Sequence, residues 1–207
     1  MIATRFIREH LKPGPVPGVP GIALFQAHPG SRLSRLGRAD PPYWAYAWGG
    51  GVVLARYIET HPGLVAGRRV LDFGAGSGLV GIVAARHGAL VTAAEIDPFG
   101  QAAVALNAAE NGVTLALADV DVEGPAPAGF EVILAGDVFY LPDIAARVLP
   151  FLTRCRQAGI EVLIGDPRRR DLPVAALEQV FAETVTDMGG VQREAGVYRL
   201  KGRLASS

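Results

Sequence analysis

Residues 70–78 read VLDFGAGSG, a short apolar run that holds one acid and is followed by three glycines at alternate positions. The apolar residues at 70–73 predict a buried strand, and the spacing over 79–87 predicts a helix that ends at Gly88. Between the two, the glycines let the backbone approach a ligand, and the start of the helix offers free N–H groups. The order of strand, glycine-rich turn and helix therefore predicts a loop that binds a nucleotide-like cofactor.

Strand and helix patterns alternate on both sides of this loop. Helices are predicted at 52–60, 79–87, 99–111, 144–157 and 174–181, and Pro150 is expected to kink or divide the fourth. Strands are predicted at 70–73, 89–96, 113–118, 130–135, 160–165, 183–187 and 192–201. This alternation predicts an α/β fold with a Rossmann-like, doubly wound sheet of seven strands. The sheet should be mainly parallel, with a C-terminal antiparallel hairpin that turns at Gly189-Gly190.

The first third of the chain has a different composition. Residues 1–11 resemble an amphipathic helix, whereas KPGPVPGVPG at 12–21 excludes a helix, suits a central strand poorly and predicts an extended, turn-rich connector. The segment ADPPYWAYAWGGG at 39–51 holds both tryptophans. We therefore expect residues 1–67 to form an N-terminal extension of helix and loop that caps the cofactor site. Residues 68–207 should form the cofactor-binding domain.

Two registers of the glycine pattern overlap. The pattern G-x-G-x-G at 74–78 is typical of S-adenosylmethionine-dependent methyltransferases, whereas G-x-G-x-x-G at 76–81 matches the dinucleotide fingerprint. In the first register Asp72 ends the strand and faces the site, where a carboxylate is useful near a sulfonium and an amino group. In the second register the strand runs on through Ala75. Asp72 is then buried without a partner, which costs more than the roughly 2–7 kcal/mol of a neutral polar group. Asp72 thus favours S-adenosylmethionine over NAD.

Acidic residues end four predicted strands in turn: Asp72, Glu95, Asp119 and Asp137. The carboxyl ends of parallel strands meet at one edge of the sheet, where open α/β sheets bind ligands. Glu95 lies where an acid can accept both ribose hydroxyls, a need that S-adenosylmethionine shares with NAD. Asp119 is placed to hydrogen-bond an adenine amino group. The four acids together predict a nucleoside site.

Composition restricts the other classes of partner. The formal net charge is zero, so the basic excess typical of nucleic-acid binding is missing and no nucleic acid is expected. The single cysteine, Cys155, permits no internal disulfide and favours a small buried hydrophobe over a structural zinc ligand, and no metal is expected. No run approaches the ~20 apolar residues of a membrane span. Nothing near the start is typical of a signal peptide, so a cytoplasmic protein without a membrane partner is expected, with a monomer as the default.

Five segments together resemble a known family: DPPYWAYAW at 40–48, VLDFGAGSG at 70–78, EIDP at 95–98, GDVFY at 136–140 and LIGDP at 163–167. They look like the lysine methyltransferases of the electron transfer flavoprotein β subunit, which belong to the seven-stranded class of S-adenosylmethionine-dependent enzymes. The glycine loop is specific only to that class. The aromatic segment, GDVFY and LIGDP are much more specific, and the resemblance spans about residues 40–201.

The resemblance implies methyl transfer from S-adenosylmethionine to a lysine ε-amine of a folded protein, with S-adenosylhomocysteine as product. It implies the electron transfer flavoprotein β subunit as substrate, and related bacterial enzymes also accept ribosomal stalk proteins. The implied cofactor-binding residues are Trp44, Asp72, Gly74, Gly76, Ser77, Gly78, Glu95, Ile96, Asp119 and Asp137. Asp137, Phe139 and Tyr140 are implied as the catalytic residues that form the channel for the acceptor lysine.

The chemical requirements of the acceptor amine are compatible with methyl transfer to lysine. The amine must lie about 3–3.5 Å from the methyl carbon and must be neutral. A desolvating aromatic channel, to which Phe139 or Tyr140 could contribute, lowers the pKa of a lysine. Asp137 could orient the amine and receive or relay its proton. A carboxylate there also favours the ammonium form, so the two effects compete.

Several alternatives stay open at this point. Tyr43, Tyr46 and Trp48 could be only the core of an N-terminal cap. The arginines at 168–170 could be a solvated face or could meet an acidic protein substrate. The chain could also be a methyltransferase of the same fold that acts on a small amine or another protein, an NAD(P)-binding oxidoreductase, or a cofactor-binding module without catalysis.

Overall fold

The computed structural model describes residues 2–37 and 41–202. The helices are α1 (Ile2–His10), α2 (Gly49–Thr60), α3 (Leu79–Arg86), α4 (Pro98–Glu110) and α5 (Pro142–Gln157). The strands are β1 (Lys12–Val16), β2 (Val19–Gln26), β3 (Arg69–Phe73), β4 (Leu90–Ala94), β5 (Ala116–Leu117), β6 (Val132–Gly136), β7 (Glu161–Asp166), β8 (Leu177–Thr186) and β9 (Gln192–Leu200). Asp40, the first residue of the aromatic segment, lies outside the described residues.

Seven strands form one sheet in the order β5-β4-β3-β6-β7-β9-β8. Strands β3 to β7 pair in parallel, whereas β9 runs antiparallel to both β7 and β8. The order reverses between β3 and β6, and this reversal is the topological switch point at which open α/β sheets bind ligands. The predicted seven-stranded, mainly parallel sheet with a C-terminal antiparallel hairpin is confirmed.

Helices cover both faces of the sheet, because successive side chains of a buried strand point to opposite sides. Val70, Val132 and Leu134 pack in one core cluster with apolar residues of α2 and α3. Leu71 and Ile133, each next in sequence to one of these, pack with α5 in a second cluster, which also holds the buried Cys155. The expectation that Cys155 is a small buried hydrophobe is confirmed. A third cluster joins α1, α4 and the segment around Trp44.

The interpretation of residues 12–21 as a connector is wrong. Strands β1 and β2 pair antiparallel in a separate two-stranded sheet, with Pro13 opposite Phe25 and Pro15 opposite Ala23. Proline lacks a backbone donor and is therefore tolerated where a strand has a free edge. A two-stranded sheet consists of such edges alone, so prolines that suit a central strand poorly are compatible with this hairpin.

The helix predicted at 174–181 is also wrong. Residues Val174–Ala176 form a single 3-10 turn, and the chain then continues as β8, which pairs with β9 along its length. The register shifts between Gln179 and Phe181, and such a bulge breaks the alternation by which a strand is recognised. Two smaller differences concern β5, which has only two residues, and α5, which Pro150 does not divide.

Helix α2 approaches the carboxyl ends of β6 and β7 unusually closely. A β-carbon on Gly165 would lie 2.1 Å from the carbonyl oxygen of Gly50, and one on Gly136 would lie 2.9 Å from the Cα of Gly51. Only glycine permits these distances. The N-terminus of α2 is thereby brought to the edge of the sheet where the candidate site lies. Among the described helices, none has the length and apolar character that crossing a membrane requires.

Candidate active site

The glycine loop adopts the methyltransferase register. Strand β3 ends at Phe73, and Gly74, Gly76 and Gly78 all have positive φ, at 67°, 54° and 80°. The dinucleotide register would need the strand to continue through Ala75. A β-carbon on Gly76 would find nothing nearer than 4.0 Å, so the loop backbone lies open to a ligand. Ser77, in contrast, is buried, and its carbonyl accepts from Asn107 Nδ2 at 2.8 Å.

Asp72 has a partner that we did not predict. Its Oδ2 accepts from the backbone N of Gly81 at 2.9 Å, in the first turn of α3, and the side chain is almost fully buried. Burial raises the pKa of Asp72 to about 7, against the lowering effect of this hydrogen bond. A β-carbon on Gly81 would come within 2.7 Å of the same oxygen, so the glycine admits the carboxylate. Asp72 thus anchors α3 to β3, and its contact with a cofactor stays a prediction.

Glu95 joins the glycine loop to the turn after β4. Its Oε2 accepts from the backbone N of Gly76 and its Oε1 from that of Asp97, each at 2.8 Å. Burial raises the pKa of Glu95, and both hydrogen bonds oppose that rise. Next to it, Ile96 is 94% exposed and offers an apolar side chain at the same edge of the sheet. Asp119 is exposed and follows β5, the neighbour of β4. Glu95, Ile96 and Asp119 thus follow neighbouring parallel strands, and their contact with a cofactor stays a prediction.

Trp44 lies beside this loop, in a 3-10 turn of Tyr43–Ala45. Its ring is 2% exposed and stacks on Phe99 of α4, with centroids 5.8 Å apart and planes at 19°. Its Nε1 is buried and has no hydrogen-bond partner among the described residues. A buried donor of this kind is rare and indicates a partner such as water or a ligand.

Asp137 follows β6 directly and has a φ of 56°, which is uncommon for a residue other than glycine. Its Oδ2 accepts from the backbone N of Gly50 and of Gly51, at 2.5 and 3.1 Å. Its Oδ1 binds the guanidinium of Arg169, with Nε at 2.7 Å. Burial raises the pKa of Asp137 to about 6, while Arg169 lowers it. Protein groups therefore engage both oxygens, so a proton-relay role has less geometric support than a positioning role.

Two further buried carboxylates surround the start of α2. Asp187 Oδ1 accepts from the backbone N of Gly49 at 2.9 Å, and its Oδ2 lies 3.2 Å from Arg193 Nε. Asp166, at the end of β7, accepts through Oδ1 from the backbone N of Arg169 at 2.6 Å. Its Oδ2 is buried without a partner among the described residues. Burial raises the pKa of Asp166 to about 7, against the lowering effect of the Arg169 hydrogen bond.

The prediction that Phe139 lines the acceptor channel needs correction. Phe139 is fully buried and belongs to the core cluster between the sheet and α5. The next residue, Tyr140, is 36% exposed, and its ring lies 5.0 Å from that of Tyr43. Tyr43 in turn lies 5.7 Å from Trp48, whose Nε1 donates to the Tyr43 carbonyl at 2.8 Å. Tyr43, Trp48 and Tyr140 form what we call the aromatic wall.

Sequence reasoning missed most of the groups around Asp137. Asp187 gave no motif, and the arginines at 168–170 were interpreted only as a surface run. In the structure Arg168 forms an exposed ion pair with Glu194, whereas Arg169 turns inward to Asp137. The glycines at 49–51, at the start of an apolar helix, could have predicted that acceptor side chains lie nearby, because the first N–H groups of any helix need acceptors.

The donor and acceptor groups at this edge suit a nucleoside cofactor. The open loop at Gly76, the carboxylate of Glu95 and the exposed Ile96 supply backbone, polar and apolar contacts side by side. No group of three or more potential metal ligands occurs among residues 2–37 and 41–202. The arrangement can bind a nucleoside at β3 and β4, and Arg169 links Asp137 to the aromatic wall through the ring of Trp48.

Comparison with known proteins points to one family. A family model described as lysine methyltransferase matches residues 45–186. The chain is similar to the electron transfer flavoprotein β subunit lysine methyltransferase of Xenopus laevis, at 36% identity over 171 residues that cover 79% of this chain and 70% of that protein. The rat and zebrafish proteins of the same name are 38% and 40% identical over 131 residues, which cover 62% of this chain and 51% of each relative. The chain thus spans about half the length of these two relatives.

Solved structures share the fold. The ribosomal protein L11 methylase of Lactobacillus delbrueckii subsp. bulgaricus superposes with a TM-score of 0.52 at 23% identity, over 76% of this chain and 81% of that one. The magnesium protoporphyrin IX methyltransferase of Synechocystis, solved with S-adenosylhomocysteine, gives 0.51 at 12% identity, over 73% and 82%. At these identities the likeness supports the fold alone.

Proposed function

Because the chain belongs to the lysine methyltransferase family, we propose that it is an S-adenosylmethionine-dependent protein-lysine N-methyltransferase. The family resemblance predicted from the sequence is confirmed at that level. The observation that carries the proposed activity is the hydrogen bond from the Gly76 backbone to Glu95, in a loop whose strand ends at Phe73. It joins the two parts of a nucleoside site in the methyltransferase register.

The cofactor would occupy the crevice at the carboxyl ends of β3 and β4. Glu95 would accept the ribose hydroxyls, Ile96 would pack on the adenine, and Asp119 would accept from its amino group. The backbone at 74–78 would contact the amino-acid tail, and Trp44, whose Cα lies 4.0 Å from a β-carbon built on Gly76, would lie against the cofactor. S-adenosylmethionine, when bound, supplies a methyl group on a sulfonium that an amine can attack in line.

The acceptor lysine would enter along the aromatic wall. Tyr43, Trp48 and Tyr140 would exclude water from the amine and thereby favour its neutral, nucleophilic form. Asp137 would orient the amine, and its partners at the start of α2 and at Arg169 would fix its direction. We assign Phe139 to the packing beneath this site, not to the channel itself.

The name shared by the vertebrate relatives suggests the electron transfer flavoprotein β subunit as the methyl acceptor. Ribosomal stalk proteins as further acceptors, a cytoplasmic location, a monomeric state and the absence of nucleic-acid partners stay predictions. We also keep as a proposal the division into an extension at 1–67 and a cofactor-binding domain at 68–207. Helix α2 lies before that boundary yet packs on β6, β7, β8 and β9.

A labelling experiment distinguishes this function from its nearest rival, a methyltransferase that acts on a small amine. The enzyme is incubated with cofactor labelled on the transferred methyl group and with cell lysate, and protein and small-molecule fractions are separated. We expect label in protein, at lysine. Label confined to the small-molecule fraction would exclude the protein acceptor while leaving the cofactor assignment intact.

A further inference from the structure

Arg169 is the point at which three parts of the candidate site meet. Its side chain donates from Nε to Asp137 Oδ1 at 2.7 Å, and Nη2 contacts the same oxygen. Its guanidinium carbon lies 5.4 Å from the centre of the Trp48 ring, within cation–π distance. Its backbone N donates to Asp166. The side chain is only 23% exposed, so these contacts are partly shielded from solvent.

These contacts connect two segments that are distant in sequence. Asp137 uses its other oxygen to bind the backbone of Gly50 and Gly51, in the first turn of α2. Trp48 is the residue that precedes that helix. Arg169 therefore ties the loop after β6 to the segment that enters α2, through one carboxylate and one aromatic ring.

The aromatic wall depends on the same ring. Trp48 contacts Tyr43 through its ring and through its Nε1 hydrogen bond, and Tyr43 contacts Tyr140. A guanidinium is planar, so it can stack on Trp48 and bind a carboxylate at the same time. A lysine ammonium is a compact charge and lacks this planar geometry.

The charges around Asp137 show why a cation is needed here. Asp137 faces Asp166 from β7 and Asp187 from the end of β8, and Asp187 is itself paired with Arg193 of β9. Arg169 is the cation in direct contact with Asp137 among the described residues. Its removal would leave three neighbouring carboxylates, and repulsion would favour protonation of one of them.

We propose that Arg169 is a positioning residue for the methyl acceptor, which holds the carboxylate of Asp137 and the ring of Trp48 in the geometry that the acceptor lysine requires. The inference rests on the proposed lysine methyltransferase function. We do not place Arg169 in contact with the reacting atoms. It acts through Asp137 and through the aromatic wall, and the cofactor side at Glu95 is independent of it.

Two substitutions of Arg169 test this, with Arg168→Gln as the matched control because Arg168 is exposed and bonds to Glu194 instead. Arg169→Lys keeps the charge but loses the paired N–H contacts and the stacking. We expect it to raise the KM for the acceptor protein roughly tenfold, as the loss of a charge-assisted hydrogen bond would. The Kd for S-adenosylhomocysteine should stay near that of the unchanged protein.

Arg169→Gln removes the charge as well. We expect the acid limb of its pH–rate profile to move to higher pH, because Arg169 lowers the pKa of Asp137. A merely structural role would instead lower stability and cofactor affinity without moving that limb. The control should match the unchanged protein in its pH–rate profile and in its Kd for S-adenosylhomocysteine. A folded Arg169→Gln variant that binds S-adenosylhomocysteine, and that keeps the KM for the acceptor protein and the pH–rate profile of the unchanged protein, would overturn the proposal.

A fluorescence measurement tests the contact between Arg169 and the ring of Trp48 without relying on activity. Trp48 is half-buried and Trp44 is buried, so acrylamide quenching reports mainly on Trp48. We expect quenching to increase in Arg169→Gln, because the guanidinium no longer covers the ring, and to stay unchanged in Arg168→Gln. Unchanged quenching in both variants would contradict the positioning role.

If the unchanged protein methylates no acceptor, the proposed function fails, whereas the quenching result still tests the contact between Arg169 and Trp48. If Arg169→Gln does not fold, the KM and quenching measurements on Arg169→Lys still test the proposal, because that variant also loses the stacking on Trp48.

Discussion

Single carboxylates at this edge of the sheet differ in role according to their backbone partners. Glu95 receives N–H groups from the glycine loop and from the next turn, so it holds the loop while lone pairs remain on both oxygens. Asp72 is turned instead into the start of α3. The sequence placed both acids at strand ends correctly. The direction of each side chain depends on which helix N-terminus comes within reach, and that is a tertiary property.

Glu95→Gln should weaken binding of S-adenosylhomocysteine roughly 10- to 100-fold, because hydrogen bonds to a charged group contribute about 1.5–3 kcal/mol. Isothermal titration calorimetry measures this, with Glu110→Gln at the exposed end of α4 as control. Unchanged affinity in Glu95→Gln would remove Glu95 from the cofactor site. NAD is titrated in parallel, and tight binding of NAD without binding of S-adenosylhomocysteine would favour an oxidoreductase.

Asp166 should make stability depend on pH. Its pKa is about 7 in the folded protein, against 3.8 for an ordinary aspartate, so the folded state keeps a proton that the unfolded chain releases between these values. The stability that this proton contributes is complete below about pH 4 and is lost as pH rises through 7. Asp166→Asn removes the titration and should flatten the dependence by up to about 1.4 kcal/mol per pH unit.

Urea unfolding of Asp166→Asn between pH 5 and about 8 checks this, with Asp171→Asn on the same loop as control. If the free energy of unfolding changes with pH at the same rate in Asp166→Asn and in the unchanged protein, Asp166 is ionised over the whole pH range. The Asn side chain also tests the unpartnered Oδ2, because its amide places a donor where a protonated carboxyl would carry one.

Helix α2 is the element that shapes the acceptor side of the site. Its first three N–H groups are taken by Asp187 and Asp137, and its close packing needs glycine on the helix and on β6 and β7. Sequence periodicity found the helix from 52 onward but not its glycine start, because glycine has low helix propensity and the compensating contacts come from other elements. Similarly, residues 177–181 of β8 were predicted as helix because the bulge between Gln179 and Phe181 hides the alternation, whereas residues 183–186 lie within a predicted strand.

Replacing neighbouring glycines of α2 by alanine should have opposite effects. A β-carbon on Gly50 would lie 2.3 Å from the Gly165 carbonyl oxygen and 2.5 Å from Asp137 Oδ2, whereas one on Gly51 would meet only Val80 at 3.8 Å and Leu79 at 3.9 Å. Gly50→Ala should cost at least about 1–3 kcal/mol, as overpacking does. Gly51→Ala should gain about 0.5–1 kcal/mol from helix propensity.

Thermal unfolding separates the two glycine variants, since about 1 kcal/mol shifts Tm by roughly 2–4 °C in a chain of this size. A Gly50→Ala variant as stable as the unchanged protein would show that α2 does not pack this closely. Equal losses in both variants would mean that any side chain in the first turn of α2 is harmful, whatever its neighbours.

On the scale of the whole molecule, the strand order alone explains why the site lies where it does. The reversal between β3 and β6 opens a crevice, and the loops after β3, β4 and β6 all begin at that edge of the sheet. The fold class could be predicted from sequence because it depends on local strand and helix patterns. The glycine pattern alone allowed two registers, and Asp72, which we used to choose between them, is turned into the start of α3. The network around Arg169 could not, because it joins residues from positions 48, 137, 166 and 187 that only the assembled sheet brings together.

Mass spectrometry of a purified electron transfer flavoprotein β subunit, after incubation with this protein and S-adenosylmethionine, shows whether that subunit is the methyl acceptor. We expect peptides whose mass has risen by whole methyl groups, with fragmentation placing every added methyl on lysine. Omission of the cofactor should abolish the change, and Glu95→Gln should reduce it. A β subunit that stays unmodified while the enzyme binds S-adenosylhomocysteine normally would contradict this substrate. Methylation at residues other than lysine would contradict the proposed chemistry.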